Sequence, residues 1–270
     1  CSLPIWQATI DSRISMLRFN GKSVADNGSA FRLIARSDSV SALDAAAVPA
    51  HRKTAKEIAE FRPHVIVDLP PNPALLMAIE ELWPHDAKHR PTYLTEGTWR
   101  DHGPRSLDWA ANGLSRRTLS IDLRGTPALE RFALRYNERF SPWVTPASAP
   151  SSPYDAFYLV AYAAAALGDQ PIHGPALAKS LGRLLPPGDP IDVGPSGIYP
   201  AFLALSAGKN IDLAGTATSL DLDPITGDPH ADFSLFCTVP AKGTEPTKQI
   251  ESGLYWDSRS GGIRGSRSCP

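Results

Sequence analysis

Glu96-Gly97, closing the run TYLTEG at 92–97, sets a carboxylate and a glycine at the end of a mostly apolar stretch. If that stretch is a parallel strand, its carboxyl end is where an open α/β sheet holds ligands, because the loops diverge there. Glu96 then supplies charge, Gly97 lets backbone approach a bound molecule closely, and Thr98 continues the same loop. The plainer alternative is a solvated loop glutamate before a turn. The neighbouring run ends in Leu69-Pro70-Pro71-Asn72, where a helix opens. Free N–H groups at such an opening can meet a carboxylate. Pro70 and Pro71 remove donors, so a rigid βα loop with Asn72 at its end is the competing reading. Tyr154-Asp155 stands at the start of an alanine-rich helix, where Asp155 complements the positive end of the helix dipole.

Other constellations point more weakly to chemistry. Asp221, Asp223, Thr226 and Asp228 lie in SLDLDPITGD, but the ligand spacing of an EF-hand is absent and a turn with Asx caps accounts for them. His85 and His89 are four apart with Asp86 between them. Trp83-Pro84 and Pro91 bracket them as a loop, and no third ligand accompanies them. The text GPSG at 194–197 lacks the spacing of a nucleophile elbow, and neither a P-loop nor a dinucleotide fingerprint occurs. Asn27-Gly28-Ser29 reads as a turn, although it is formally a sequon. The motifs call for no cofactor and no metal. An α/β small-molecule hydrolase would need a nucleophile–base pair converging near Glu96, with His102 as one candidate.

The chain has 270 residues, 42% hydrophobic and 20% charged, enough to build one large domain or two modest ones around buried cores. A formal net charge of -1 argues against a partner held by phosphate neutralisation. The longest apolar run, AFYLVAYAAAAL, is too short to span a bilayer. Three cysteines, Cys1, Cys237 and Cys269, show no metal-ligand spacing. Cys237 and Cys269 pair as a disulfide in an oxidising compartment, or are two unrelated thiols. Cys1 matches the lipidated first residue of a mature bacterial lipoprotein, and equally an arbitrary cut.

These residues need elements to position them. The spacing predicts strands at 31–36 (FRLIAR), 64–69 (HVIVDL, apolar enough to be covered on both faces), 92–97 and 118–124. SRISMLRF ends a helix before an Asn20-Gly21 turn. Helices are expected at 51–61, from Asn72 or Pro73 through PALLMAIEEL, and at 126–140, 153–168, 174–185 and 196–207. In the first, Ala55, Ile58, Ala59 and Phe61 face inward. The early alternation of strand and helix predicts a parallel α/β sheet with right-handed crossovers. The later helices, with few strands between them, are expected to pack on strands from elsewhere. DFSLFCTV at 232–239 reads as a closing β-run.

The combination of FRPHVIVDLP, TYLTEG, the helix PYDAFYLVAYAAAALG and the passage IDLAGTATSLDLDPITGDPHADFSLFCTV resembles type I periplasmic binding proteins of the Leu/Ile/Val-binding kind. The resemblance implies an α/β fold with a Rossmann-like parallel sheet lobe plus an incomplete second lobe. Residues 19–124 and 217–270 would form lobe two, 125–216 the helical part of lobe one, and 1–18 a remnant or tail. TLSIDLRG and GTATSLDLD would be crossovers. Most of the lobe-one sheet of the family has no counterpart here, so a fragment or a degenerate member is expected. The resemblance further implies extracytoplasmic capture of a small polar solute, an amino acid or related amide, for delivery to an ABC permease; a ligand-sensing receptor domain is the alternative within binding. Glu96 would pair with the ligand's α-ammonium, a charge-assisted and directional contact. The helix start at Tyr154-Asp155 would face the cleft. The expected location is the periplasm or another extracytoplasmic space, with lipid anchoring through Cys1 under the lipoprotein reading.

Overall fold

The computed structural model describes residues 15–19, 21–34, 48–69, 71–84, 88–97, 109, 111–146, 149–223, 227–240 and 247–270. Cys1, Pro70, His85, Asp86, Thr98, His102 and Thr226 lie outside them. The chain divides into two units, Cys1–Ser39 and Val40–Pro270.

In the first unit, β1 (Arg18–Phe19) and β2 (Lys22–Ser23) form a minimal antiparallel hairpin turned at Gly21, whose φ of 69° suits glycine. Asn27 donates its side-chain amide to the carbonyls of Phe19 (3.2 Å) and Ser23 (2.7 Å), holding the following 3-10 segment Ala25–Ala30 against the turn. The strand expected at 31–36 is not formed over its described part: residues 31–34 are irregular. Alternating side chains make a strand only where a ladder partner satisfies the backbone, and 31–34 have none among the described residues.

The second unit begins as the periodicity requires. Helix α1 (Val48–Phe61) leads to β3 (Val65–Asp68), α2 (Pro73–Leu82) and β4 (Thr92–Glu96). A one-turn helix, α3 (Leu114–Arg117), precedes β5 (Thr118–Leu123). β3, β4 and β5 pair in parallel, with Ile66 opposite Tyr93 and Leu94 opposite Leu119. α1 buries Ala55, Ile58 and Ala59 and leaves Phe61 half-buried; α2 buries Leu75, Leu76, Ala78 and Ile79. Glu80 of α2 pins the helix to the sheet. Its carboxylate accepts from Tyr93 Oη (2.8 Å), Arg90 (3.0 Å) and Arg117 (2.9 and 3.1 Å). Burial, and then the Glu80 charge, push the Tyr93 phenol far above the usual tyrosine range. The expectation that 64–69 is covered on both faces is corrected: Val65 and Val67 are 55% and 48% exposed. Among the described residues β3 is the edge strand of its sheet, and the exposed face carries only its alternate residues.

The sheet then changes character. β8 (Phe233–Val239), the expected closing run, lies antiparallel to β5, with Cys237 opposite Leu119. β9 (Lys248–Asp257) and β10 (Gly262–Arg264) extend it as a meander, giving the order β10-β9-β8-β5-β4-β3. The fold is therefore mixed α/β around a six-stranded mixed sheet. Cys237 and Cys269 form a disulfide, Cα–Cα 5.6 Å, fastening the C-terminal segment to β8.

Helices α4 (Pro127–Asn137), α5 (Ser151–Ala166), α6 (Gly174–Ser180) and α7 (Pro195–Ser206) follow the expected spans closely, the third ending in a 3-10 turn at Leu181–Arg183. The expectation that they lack strands of their own is corrected. β6 (Asp189–Asp192) and β7 (Ile211–Ala214) pair in parallel on either side of α7. Ile191, Val193, Ile211 and Leu213 are buried with Tyr158, Tyr162, Ala163, Ala201 and Leu205 in one core. These strands are four residues long, and β6 opens with Asp-Pro, so neither alternation nor length signals them. The guanidinium of Arg183 closes this layer by donating to the carbonyls of Ala166 (3.0 Å), Leu205 (3.2 Å) and Lys209 (2.6 Å) at the ends of α5 and α7. The GTATSLDLD passage, expected as a crossover, has no regular strand; Leu222 makes an isolated bridge to Pro229. No helix among the described residues is long and apolar enough to cross a membrane.

Candidate functional site

The carboxyl ends of β3, β4 and β5 lie side by side, and each carries an acid: Asp68 and Glu96 as the last residues of β3 and β4, and Asp122 as the last but one of β5. Two of the three are engaged locally. Asp68 accepts the backbone N–H of Asn72 at 2.7 Å. Asn72 is buried, with its carbonyl oxygen capping α2 through Leu75 N (3.0 Å) and its amide 3.4 Å from His51 Nε2. The polar atoms of Asn72 thus serve the N-cap, which favours the rigid βα loop over a ligand role. Asp122 accepts the N–H of Leu123 at 2.6 Å. Gly97 is buried against it, and a Cβ at position 97 would collide with the Asp122 carboxylate. The close approach that demands glycine here is made by Asp122. Glu96 alone is exposed at this strand end.

Asp155 is 4% exposed and faces inward. Its carboxylate accepts Thr216 N (2.8 Å), Thr216 Oγ1 (2.9 Å) and Ala217 N (3.3 Å), clamping the loop after β7 onto α5. Burial raises its pKa above the usual carboxylate range, against the lowering effect of those bonds. Gly215 is required beside it, since a Cβ would lie 2.6 Å from Asp155 Oδ2. Thr126, the N-cap of α4, donates its hydroxyl to Thr216 O at 2.7 Å. Asp155 therefore fixes a junction three residues past the end of β5, rather than supplying a dipole charge or an open ligand. Tyr154 packs on Phe132 and Tyr158, with ring centroids 4.6 and 5.0 Å apart.

That junction borders a recess at the carboxyl ends of β6 and β7. Ala128, Arg131 and Arg135 of α4 line one side; Asp192, Val193, Ser196, Ala214, Gly215 and Thr216 line the other. Its volume is about 380 Å³ including the space at its open mouth. Arg135 and the Tyr154 hydroxyl both approach Gly194, each 3.5 Å from where a Cβ would sit. Gly194 has φ 134°, in the region that favours glycine, and precedes Pro195, the first residue of α7. The arginines escaped the sequence reading because two cations at i and i+4 on a helix resemble an ordinary solvated face. Their spacing in ALERFALR was the available signal.

Of the expected site residues, Asn72, Glu96 and Gly97 gather at the ends of β3 and β4, and Tyr154 and Asp155 at the α5 end of the recess. Arg124, Gly125 and Thr126 join the two regions along the chain. In the acidic passage the backbone N–H of Asp223 donates to the carbonyl of Asp228 (2.8 Å), and the Asp221 carboxylate pairs with Arg259 (3.0 Å). His89 stacks on His64 with centroids 4.2 Å apart. No protein-family model matches the sequence, and no curated protein matches it.

Proposed function

We propose that this chain is an extracytoplasmic solute-binding protein of the type I periplasmic kind, capturing an amino acid or related amide for delivery to an ABC permease. The observation that carries the reading is the placement of two sets of parallel-strand carboxyl ends. Those of β3–β5 and those of β6–β7 are separated along the chain by Arg124–Thr126 and the helices α4, α5 and α6. Ligands of open α/β sheets bind beyond such ends, and here one set presents Glu96 while the other presents Arg131 and Arg135. An acid facing one side and guanidiniums the other suit the two ends of a zwitterion. The Cys237–Cys269 disulfide fits an oxidising compartment. Capture requires no covalent step. Ligand bridging the two sets of ends would shift the open–closed population by its differential affinity.

A thermal-shift panel of the twenty L-amino acids and their amides tests this. A ligand at a hundredfold its Kd stabilises by about 2.7 kcal/mol, a Tm rise of roughly 5–10 °C for a chain of this size. Glu96→Gln is expected to abolish the rise for the ligand found. No response from any member of the panel, or a full response in Glu96→Gln, overturns the reading.

A further inference from the structure

The recess at the ends of β6 and β7 is lined by a pair of cations, Arg131 and Arg135. Arg131 and Arg135 are exposed, and neither makes an ion pair or a side-chain hydrogen bond among the described residues. Like charges at i and i+4 oppose one another on a helix, and an anion between them would relieve that repulsion. Among the described residues Asp192 is the single carboxylate on the lining, and it bridges to neither guanidinium. Gly194 keeps a side chain out of the space between Arg135 and the Tyr154 hydroxyl. Tyr154 is held in place by its packing on Phe132 and Tyr158. Ser196 adds a second hydroxyl to the lining at the start of the twelve-residue helix α7, the positive end of its dipole.

We propose that this recess binds an oxyanion group of a small solute, a carboxylate or a phosphate, gripped by Arg131 and Arg135 with Tyr154 contributing from beside Gly194. A guanidinium fork matches both groups bidentately, and two such forks, one turn apart on α4, line the recess. The inference rests on the capture reading only in taking the anion as one end of a larger solute; free anions bind the same recess.

The test is calorimetric titration of the full chain with acetate, inorganic phosphate, L-alanine and L-alaninamide. It is repeated on the Arg131→Gln/Arg135→Gln double variant and on Arg139→Gln, an exposed arginine off the lining. Circular dichroism establishes that each variant folds. Expected is binding of at least one oxyanion probe, weakened about tenfold or more in the double variant and unchanged in Arg139→Gln. Alanine binding without alaninamide binding identifies a carboxylate; phosphate binding above both identifies a phosphate. Equal oxyanion binding by wild type and double variant, or none by wild type, overturns the inference. Should an amide or amine still bind in a Glu96-dependent way, only this inference falls. Should oxyanion binding persist where Glu96→Gln leaves every panel response intact, only the capture reading falls.

Discussion

Replacing Asp155 separates the geometry of its clamp from its charge. The side chain is 4% exposed and accepts three hydrogen bonds, two of them from backbone N–H groups of a loop whose Thr216 is itself 2% exposed. Asp155→Ala removes both acceptor oxygens, and with them all three bonds, and leaves buried donors unsatisfied. At roughly 1 kcal/mol per bond with a further penalty for an orphaned buried N–H, the loss is about 3–4 kcal/mol. Asp155→Asn keeps one oxygen in the Oδ2 position, where both N–H groups point, and the Thr216 hydroxyl can rotate to accept from the new amide. Its cost is expected to be about 1 kcal/mol or less. Urea denaturation followed by tryptophan fluorescence measures both. The pH dependence adds a second reading. The folded-state pKa of Asp155 is raised, with burial as the main cause. Its titration therefore contributes stability that is fully present below the unfolded-state pKa and lost as pH rises through the folded one. Measured against Asp155→Asn, the wild type should gain stability as pH falls from neutral towards 4. An alanine variant costing under about 1 kcal/mol would refute the clamp, and a wild-type advantage that shrinks on acidification would refute burial as the dominant influence on the Asp155 carboxyl.

Glu80→Ala leaves Arg90 and Arg117, with side chains 19% and 16% exposed, facing one another without their shared carboxylate. The expected loss is about 3–5 kcal/mol by the same denaturation, whereas Arg52→Ala, breaking a half-exposed pair with Glu81, should cost under about 1 kcal/mol. Reduction of Cys237–Cys269 opens a loop with a sequence separation of 32. Loop-closure entropy puts its contribution at about 4 kcal/mol, so a Tm unchanged by dithiothreitol would show that the bond adds nothing to the folded chain.

Much of the architecture was legible because it is periodic. The runs VIVD, TYLTE and TLSIDL became parallel strands, and the helices after position 126 appeared within two or three residues of their expected spans once the 3-10 turn that ends α6 is counted. Asn72 and Thr126 each precede a proline, and both cap their helices, as an N-cap residue followed by proline at N1 implies. What sequence could not settle is pairing. β6 and β7 are too short to declare themselves, and become a sheet only because α7 returns the chain beside its start. FRLIAR alternates well, yet over 31–34 it makes no ladder. The site divided in the same way. Amino-acid type and spacing marked Glu96, Gly97 and Asp155 as notable. Only tertiary structure turned Asp155 inward onto Thr216, set Gly97 against Asp122, and brought Arg131 and Arg135 from α4 to the ends of β6 and β7. Periodicity records which face of an element is apolar; it does not record which distant backbone a polar group meets, because that depends on how the layers close.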